Sequence, residues 1–146
     1  MVIKEVKQDL FTVPSDYYLA HCISDDFVLG KGIAVEFNKR YQMRKKLKEL
    51  YLDSKGTDMH LGGAGCILVD KVFNLITKEK YYFKPTYGTL ERALESMVSQ
   101  CIELNIKKLA MPKIGCGLDR LDWDKVKEIL IKYFKDIDIE ILVCSL

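Results

Sequence analysis

Hydrophobic and polar positions alternate along the chain with two periods, that of a β-strand and that of an α-helix. Short apolar or alternating runs bounded by polar turns predict six strands. The predicted strands cover residues 3–7, 18–23, 66–69, 72–77, 108–111 and 139–144. Asp70 and Lys71, between the third and fourth runs, predict a hairpin and therefore one antiparallel pair of strands.

Helical periodicity fills much of the remaining chain. Apolar residues three or four positions apart predict helices that begin at residue 32, near residue 43, near residue 89 and at residue 122. In the second helix the predicted inward residues are Met43, Leu47, Leu50 and Tyr51. In the third helix they are Leu90, Ala93, Leu94, Met97, Val98 and Cys101. Thr89 is the predicted N-cap of the third helix, Asn105 its left-handed C-terminal residue and Asp122 the N-cap of the fourth.

Strands that alternate with helices predict an α/β fold. Its sheet is expected to be mixed and mostly parallel, with helices covering both faces. A length of 146 residues corresponds to one domain, and we expect it to span residues 1–146.

Composition narrows the functional classes. A net charge of +2 does not by itself favour nucleic acid, and no apolar run suggests a secretory signal or a membrane span. The five cysteines are odd in number and scattered, which favours reduced thiols over disulfides or zinc. With only two histidines, a metal centre is not expected. The chain is therefore predicted to be cytoplasmic.

Two glycine segments interrupt the pattern where a strand gives way to a helix. The first is Gly30-Lys31-Gly32-Ile33-Ala34-Val35, and the second runs from Met111 to Trp123 and contains Gly115 and Gly117. Glycine allows close backbone approach to a ligand, and unpaired N–H groups at a helix start attract negative charge. Two such segments, each expected to open a helix, favour a ligand with two phosphates. The alternative is a pair of tight turns, since neither segment is a P-loop or a complete dinucleotide fingerprint.

Lys78 and Asp119 are the ionisable residues best placed for chemistry. Lys78 ends an otherwise apolar strand, where partial desolvation favours the neutral, nucleophilic amine. Asp119 lies at the rim of the second glycine segment and can carry a proton. The alternative is a solvated lysine and a carboxylate that caps a loop.

Other candidate groups are weaker. His21 and Cys22 are neighbours on a strand, so their side chains point to opposite faces and do not form a thiol–imidazole pair. Cys116, between two glycines, is expected to be a small side chain in a tight loop. The basic residues 44–48 are expected to form a solvated helix face, although such a face can also contact nucleic acid.

Six segments distributed over nearly the whole chain match one known family. They are Asp9-Leu10-Phe11, Ala20-His21-Cys22-Ile23-Ser24, Gly30-x-Gly32-Ile33-Ala34-Val35, Leu75-Ile76-Thr77-Lys78, Lys84-Pro85-Thr86-Tyr87 and Pro112-x-Ile114-Gly115-Cys116-Gly117-Leu118-Asp119-Arg120-Leu121-x-Trp123. In these segments the chain resembles the macrodomain family of ADP-ribose-binding modules, in particular the branch of terminal ADP-ribose protein glycohydrolases. The last segment is too long and unusual for accidental agreement. The resemblance implies a three-layer α/β/α fold.

The resemblance also implies ADP-ribose as the ligand, with no metal and no separate cofactor. Asp9 would accept a hydrogen bond from the adenine amino group, and Leu10 would donate one through its backbone. Residues 30–35 and 114–118 would hold the diphosphate. The implied binding positions are Asp9, Leu10, His21, Ile23, Ser24, Gly30, Gly32, Ile33, Ala34, Val35, Thr77, Pro112, Ile114, Gly115, Cys116, Gly117 and Leu118.

For catalysis, the resemblance implies that Lys78 attacks the anomeric carbon of the distal ribose and releases the modified carboxylate. Asp119 would then resolve the lysine adduct. The expected function is a metal-independent hydrolase, acting as a monomer, that removes single ADP-ribose units from acidic protein side chains. Three alternatives stay open: removal of ADP-ribose from DNA bases, which the basic residues 40–48 would favour; deacetylation of O-acetyl-ADP-ribose; and binding of ADP-ribose without cleavage.

Three departures from the family pattern qualify this expectation. Gln8 replaces the glycine that usually precedes the adenine-binding aspartate, and Lys31 replaces a small residue between two glycines. Residues 42–63 match poorly and are expected to belong to a surface that selects the partner.

Overall fold

The computed structural model describes residues 1–51 and 63–146. Within these residues the strands are β1 (Val2–Lys7), β2 (Tyr18–Ser24), β3 (Gly65–Val69), β4 (Val72–Lys78), β5 (Lys108–Met111) and β6 (Glu140–Ser145). They form one sheet in the spatial order β1-β6-β5-β2-β4-β3. Neighbouring strands are parallel except β3 and β4, which form the predicted hairpin. The mixed, mostly parallel sheet is therefore confirmed.

Helices cover both faces of this sheet. The helices α1 (Ile33–Tyr41) and α2 (Met43–Tyr51) pack on one face, and α3 (Tyr87–Glu103) and α4 (Trp123–Phe134) pack on the other. This arrangement confirms the predicted three-layer α/β/α architecture. Within the described residues, none of the helices combines the length and the hydropathy that crossing a membrane requires.

Each helical layer has its own core against the sheet. On the α1/α2 side, Phe37, Met43 and Leu47 are fully buried. On the α3/α4 side, Leu94 and Leu130 are fully buried. Burial of one such side chain stabilises the fold by about 2 kcal/mol. The two cores therefore hold both helical layers against the sheet. They also position the loops that connect the strands to these helices.

Strand β4 is buried on both faces and carries one amide in its middle, Asn74. The Asn74 amide nitrogen donates to the carbonyl oxygens of Ile67 (3.1 Å) and Val72 (3.3 Å). Its oxygen lies 2.6 Å from Nε2 of His21, whose ring stacks on Phe37 with centroids 3.9 Å apart. Because the amide nitrogen is already a donor, the amide oxygen is the acceptor and Nε2 carries the proton. His21 is thus a core residue of β2 with Nε2 paired to Asn74, whereas its buried Nδ1 has no hydrogen-bond partner among the described residues.

The predicted N-cap of α3 is wrong. Thr86 is the cap: its hydroxyl accepts a hydrogen bond from the backbone N–H of Thr89 (3.0 Å), and the Thr89 hydroxyl accepts one from the N–H of Thr86 (3.0 Å). This reciprocal arrangement is a capping box. The apolar stripe starts only at Leu90, one turn inside the helix, so it does not mark the helix start. The left-handed Asn105 is confirmed, with φ 53°.

The predicted inward face of α2 is wrong at one position. Met43 and Leu47 are fully buried, but Leu50 is 58% exposed because the helix touches the sheet along a narrow stripe. The side chain of Tyr51 lies outside the described part of the chain, as do residues 52–62, which make up much of the predicted partner-selecting segment.

Candidate active site

A crevice is expected where β2 and β5 separate at the carboxyl edge of the sheet. The register pairs Tyr18 with Leu109 and Leu19 with Ala110, and β2 then continues to Ser24 without a further pairing to β5 among the described residues. β2 leads to α1 on one face, whereas β5 leads to α4 on the opposite face. In open α/β sheets, ligands bind at such switch points. Since β1 and β4 are parallel to these strands, they end at the same edge.

The first glycine segment opens α1 at this edge, as predicted. Gly32 is the N-cap, with φ +62° and ψ −149°, a backbone conformation that favours glycine. No described side chain caps the helix start. The first N–H groups of α1 are therefore directed at solvent near the crevice, where an anion can accept their hydrogen bonds.

The second glycine segment crosses a loop before it reaches a helix, and the predicted N-cap of that helix, Asp122, is confirmed. Gly115, with φ +73°, starts a series of tight turns in which the Arg120 N–H donates to the Gly117 oxygen (3.2 Å) and the Leu121 N–H donates to the Gly115 oxygen (2.8 Å). α4 begins later, and its N-cap Asp122 already accepts a hydrogen bond from the helix backbone (3.0 Å). This segment thus offers loop N–H groups to a ligand, whereas α1 offers a helix N-terminus.

Lys78 and Asp119 are brought together at the same edge. Lys78 Nζ lies 2.7 Å from Asp119 Oδ1, and their side chains are 15% and 17% exposed. Lys78 is the last residue of β4, and Asp119 lies in the second glycine segment after β5. An ammonium and a carboxylate that are both largely shielded from water interact more strongly than an exposed pair.

A one-residue register shift helps to direct Lys78. Ile23 of β2 pairs with Ile76, but the next residue, Ser24, pairs with Lys78 and not with Thr77. In a regular strand Lys78 would share the face of Ile76, which packs beneath α1 and α2. An extra residue in one strand changes the direction of the side chains that follow it. The shift thus places Lys78 where it reaches Asp119.

Neither the thiols nor the imidazole near the crevice is suited to catalysis. Burial, with a smaller contribution from the charge of Asp119, raises the pKa of the Cys22 thiol to about 12. Burial also raises the pKa of Cys116 to about 11. Burial lowers the pKa of His21 to about 4, against a hydrogen bond with Asn74 that raises it. At neutral pH both thiols are protonated and the neutral imidazole lies in the core, so none of these groups is suited to act as a nucleophile at the crevice.

Several predicted binding residues lie beneath the crevice and do not line it with their side chains. His21 is fully buried, and Ile23, Thr77 and Ile114 are at most 4% exposed. Only the backbone of these predicted residues is available to a ligand. By contrast, Gly30, Gly32, Gly117 and Leu118 are exposed at the surface. The remaining predicted positions, half-buried or buried next to these, are Ser24, Ile33, Ala34, Val35, Pro112, Gly115 and Cys116.

Asp9 has a structural partner of its own. It is the N-cap of the short 3₁₀ turn Leu10–Thr12, and its Oδ1 accepts a hydrogen bond from the backbone of Phe11 (2.9 Å). The residue is exposed, whereas the Leu10 side chain is buried. An ionised carboxylate has several acceptor positions, so the cap leaves room for a ligand amino group.

Two residues that the sequence did not single out hold the crevice loops in place. Asp26 accepts hydrogen bonds from the Ser24 hydroxyl, the Val28 N–H (3.4 Å) and the Tyr81 N–H (3.0 Å). Lys84 Nζ donates to the carbonyl oxygen of Leu118 (2.9 Å). Asp26 follows β2 in a short polar turn, where aspartate is common, so its position in the sequence does not indicate a special role. No sequence signal connects it to Tyr81, which lies 55 positions further along the chain.

The described residues contain no group of three or more His, Cys, Asp or Glu side chains arranged to hold a metal ion. The crevice offers the backbone N–H groups of its loops, the ammonium of Lys78 and the carboxylate of Asp119.

Comparisons with known proteins agree with this geometry. The family model for the macro domain matches residues 20–130. The chain is 40% identical over 146 residues to human "ADP-ribose glycohydrolase OARD1", with 99% of this chain and 91% of that protein covered. It is 28% identical over 114 residues to "DNA ADP-ribosyl glycohydrolase" of Mycobacterium tuberculosis, with 75% of this chain and 32% of that protein covered.

A solved structure shows the same fold. The "Macrodomain of Mycobacterium tuberculosis DarG" matches with a TM-score of 0.84 at 24% sequence identity, with 99% of this chain and 98% of that chain covered. The family model spans most of the chain, and the human relative aligns over almost the full length of both proteins. Together with the three-layer fold and the crevice at its switch point, these matches establish that the chain belongs to the macro domain family.

Proposed function

We propose that this chain is an ADP-ribose glycohydrolase that releases single ADP-ribose units from acidic protein side chains, with Lys78 as nucleophile and Asp119 as proton carrier. The observation that carries the proposal is the 2.7 Å contact between Lys78 Nζ and Asp119 Oδ1 at the crevice. The name of the human relative, ADP-ribose glycohydrolase, supports the same reaction class.

In this proposal the diphosphate of ADP-ribose lies between the two glycine segments. The uncapped N-terminus of α1 at Gly32 and the backbone around Gly117 would donate hydrogen bonds to its oxygens. A Cβ at Gly117 would meet no atom within 4 Å, so the space above that backbone is open to a ligand. The distal ribose would then lie next to Lys78 and Asp119.

The reaction needs two displacements at one carbon. The Lys78 ammonium first loses a proton to Asp119, and the free amine attacks the anomeric carbon of the distal ribose. The new C–N bond forms as the C–O bond to the modified side chain breaks, and the carboxylate leaves with the electron pair. Asp119 then passes its proton to the departing carboxylate and takes a second proton from water as the hydroxyl attacks the same carbon. The Lys78 amine leaves as that bond forms and recovers the proton from Asp119. ADP-ribose is the product, and no cofactor takes part.

The basic residues 40–48, which the DNA alternative invoked, have internal contacts. Arg40 lies 3.4 Å from Glu36 and above the ring of Phe11, and Lys46 lies 2.8 Å from Asp70. These contacts are those of a solvated helix face, so this face alone does not favour DNA. The M. tuberculosis relative named a DNA ADP-ribosyl glycohydrolase keeps that substrate class in view. O-acetyl-ADP-ribose, also an ester, would be attacked by the same pair.

The proposal is tested by incubating the protein with a peptide ADP-ribosylated on glutamate and, in parallel, with an ADP-ribosylated single-stranded DNA. Release of free ADP-ribose from the peptide is the expected result. Release from the DNA alone would contradict the protein substrate and retain the hydrolase. A protein that binds free ADP-ribose but cleaves neither of these substrates, nor O-acetyl-ADP-ribose, would be a non-catalytic reader. A monomeric state and a cytoplasmic location remain predictions.

A further inference from the structure

A loop of exposed aromatic residues follows β4 directly beside Lys78. This aromatic loop has the sequence Lys80-Tyr81-Tyr82-Phe83-Lys84. Tyr81, Tyr82 and Phe83 are 52%, 66% and 44% exposed. Three adjacent aromatic side chains of this exposure contribute little to the core, and a contiguous exposed apolar patch marks an interaction site. The position of the loop connects that site to the crevice.

The aromatic loop is attached to the crevice at both of its ends. The Tyr81 N–H donates to Asp26, which also holds the backbone before the first glycine segment. The Lys84 ammonium donates to the carbonyl oxygen of Leu118 in the second glycine segment (2.9 Å). Within the loop, the Phe83 N–H donates to the Lys80 oxygen (3.0 Å), which closes a turn. The loop therefore has a defined position at the rim of the crevice.

The three rings form an ordered group. Tyr81 and Tyr82 have centroids 5.2 Å apart at 87°, and Tyr82 and Phe83 have centroids 5.0 Å apart at 85°. Such edge-to-face contacts stabilise a pair of rings beyond simple burial. Because the rings already restrain one another and the backbone turn is closed, a partner that stacks on them immobilises few additional bonds.

We propose that the aromatic loop is a binding surface for the unpaired bases of single-stranded nucleic acid. Surfaces of this kind combine aromatic rings, on which bases stack, with cations that contact the phosphates. Lys80 and Lys84, both exposed, flank the three rings and supply those cations. For its placement next to the reacting ribose the inference rests on the proposed function, but binding at the loop does not require hydrolysis.

The charge of the loop favours nucleic acid over a protein partner. Aromatic residues occur in the centres of protein interfaces, but lysine is depleted there, whereas a group of rings flanked by cations suits bases and the phosphates on either side of them. The adjacent acidic residue, Glu79, packs toward Gly63, since a Cβ at Gly63 would lie 2.7 Å from Glu79 Cγ.

The test is fluorescence anisotropy of a labelled thymidine oligonucleotide of about ten nucleotides, a length that covers the site of a typical single-strand binder. We expect the wild-type protein to bind the single strand more tightly than a duplex of the same length. The variant Tyr81→Ala/Tyr82→Ala/Phe83→Ala should bind the single strand at least about tenfold more weakly, and Tyr82→Ala alone should show part of that loss. Tyr81→Phe/Tyr82→Phe keeps the rings and should retain the wild-type affinity.

A second measurement separates charge from stacking. The slope of log K against log salt for single strands is about −0.7 for each neutralised phosphate, so Lys80→Gln should make it shallower by about that amount. The triple alanine variant should melt at the wild-type temperature and should bind free ADP-ribose as before.

Two results would overturn the inference: wild-type affinity of the triple variant for the single strand, or equal binding of single strand and duplex. If the wild-type protein binds the oligonucleotide through these rings but releases ADP-ribose from no substrate, the proposed function fails and this inference stands.

Discussion

Lys78 Nζ and Asp119 Oδ1 are 2.7 Å apart, although 41 residues separate them in the sequence. Their side chains are 15% and 17% exposed, whereas other ion pairs in the described part of the chain leave each side chain about a third exposed or more. Exposed ion pairs of this kind are common on protein surfaces and add little to folding stability, so they do not mark a functional site. The shielded pair at the crevice is the one whose charge and position suit chemistry.

Lys78→Ala should abolish turnover and retain ligand binding. Removing a nucleophile is expected to lower kcat by a factor on the order of 10³ or more, because the later steps depend on the adduct. The diphosphate would still be held by backbone N–H groups, so the Kd for ADP-ribose should change by no more than about threefold. Release of ADP-ribose measures the first quantity and calorimetry the second.

Lys108→Ala is a matched control for this variant. Lys108 forms an ion pair of the same length, 2.7 Å, with Asp16, at the opposite end of β5 and with both side chains exposed. Its loss should leave kcat unchanged. If Lys78→Ala cleaves the substrate at the wild-type rate, Lys78 has no chemical role.

Gly117→Val should weaken ADP-ribose binding without disturbing the fold. A Cβ at this position would meet nothing within 4 Å in the protein, and the backbone is not in the left-handed region. The valine side chain would instead occupy the space through which the diphosphate approaches the backbone. Calorimetry should show a Kd raised at least about tenfold, equivalent to about 1.4 kcal/mol. An unchanged Kd would contradict the proposed place of the diphosphate.

Gly115→Val provides a contrast, because there the protein itself requires glycine. Gly115 has φ +73°, and a Cβ would lie 3.0 Å from a methyl carbon of Leu121. This variant should lose about 1–3 kcal/mol of folding stability in urea titrations. If Gly117→Val loses as much stability as Gly115→Val, its weaker binding no longer reports on the diphosphate.

His21 should make the protein less stable as the pH falls from 6.5 toward 4. Its pKa is about 4 in the folded state, lowered by burial from 6.5, so the unfolded chain takes up the proton first. Stability is therefore complete above pH 6.5 and declines below it, by about 2 kcal/mol at pH 5. Urea midpoints measured between pH 7 and pH 5 test this.

His21→Gln is the matched variant for that titration. Its amide nitrogen can still donate to Asn74 Oδ1, but the residue does not titrate. His60 is present in both proteins, so its contribution cancels in the difference. Equal pH slopes for the two proteins would show that the imidazole of His21 does not contribute to the dependence.

The periodicity of the sequence is sufficient to predict the three layers of the fold, but it does not predict the contacts that complete the site. The alternation of strands and helices was correct because each element buries one apolar face, and the buried run of β4 was recognised as a strand. The register shift at Thr77 was invisible, since it depends on how β2 and β4 pair. The three hydrogen bonds of Asp26 join separate loops, and no local pattern encodes them. The start of α4 after Asp122 is predicted correctly, because an aspartate directly before an apolar periodic run is a local signal for a helix N-terminus.

The central claim is that the Lys78 amine forms a bond with the ribose and that Asp119 is needed to break it. Without Asp119 the Lys78 proton passes to water, which slows the attack but leaves the adduct unresolved. The most direct measurement is the intact mass of Asp119→Ala after incubation with a glutamate-ADP-ribosylated peptide. We predict an increase equal to one ADP-ribose less one water, located on Lys78 by peptide mapping and absent from Lys78→Ala/Asp119→Ala. Slow release of ADP-ribose by Asp119→Ala, with no adduct at any time, would contradict the account.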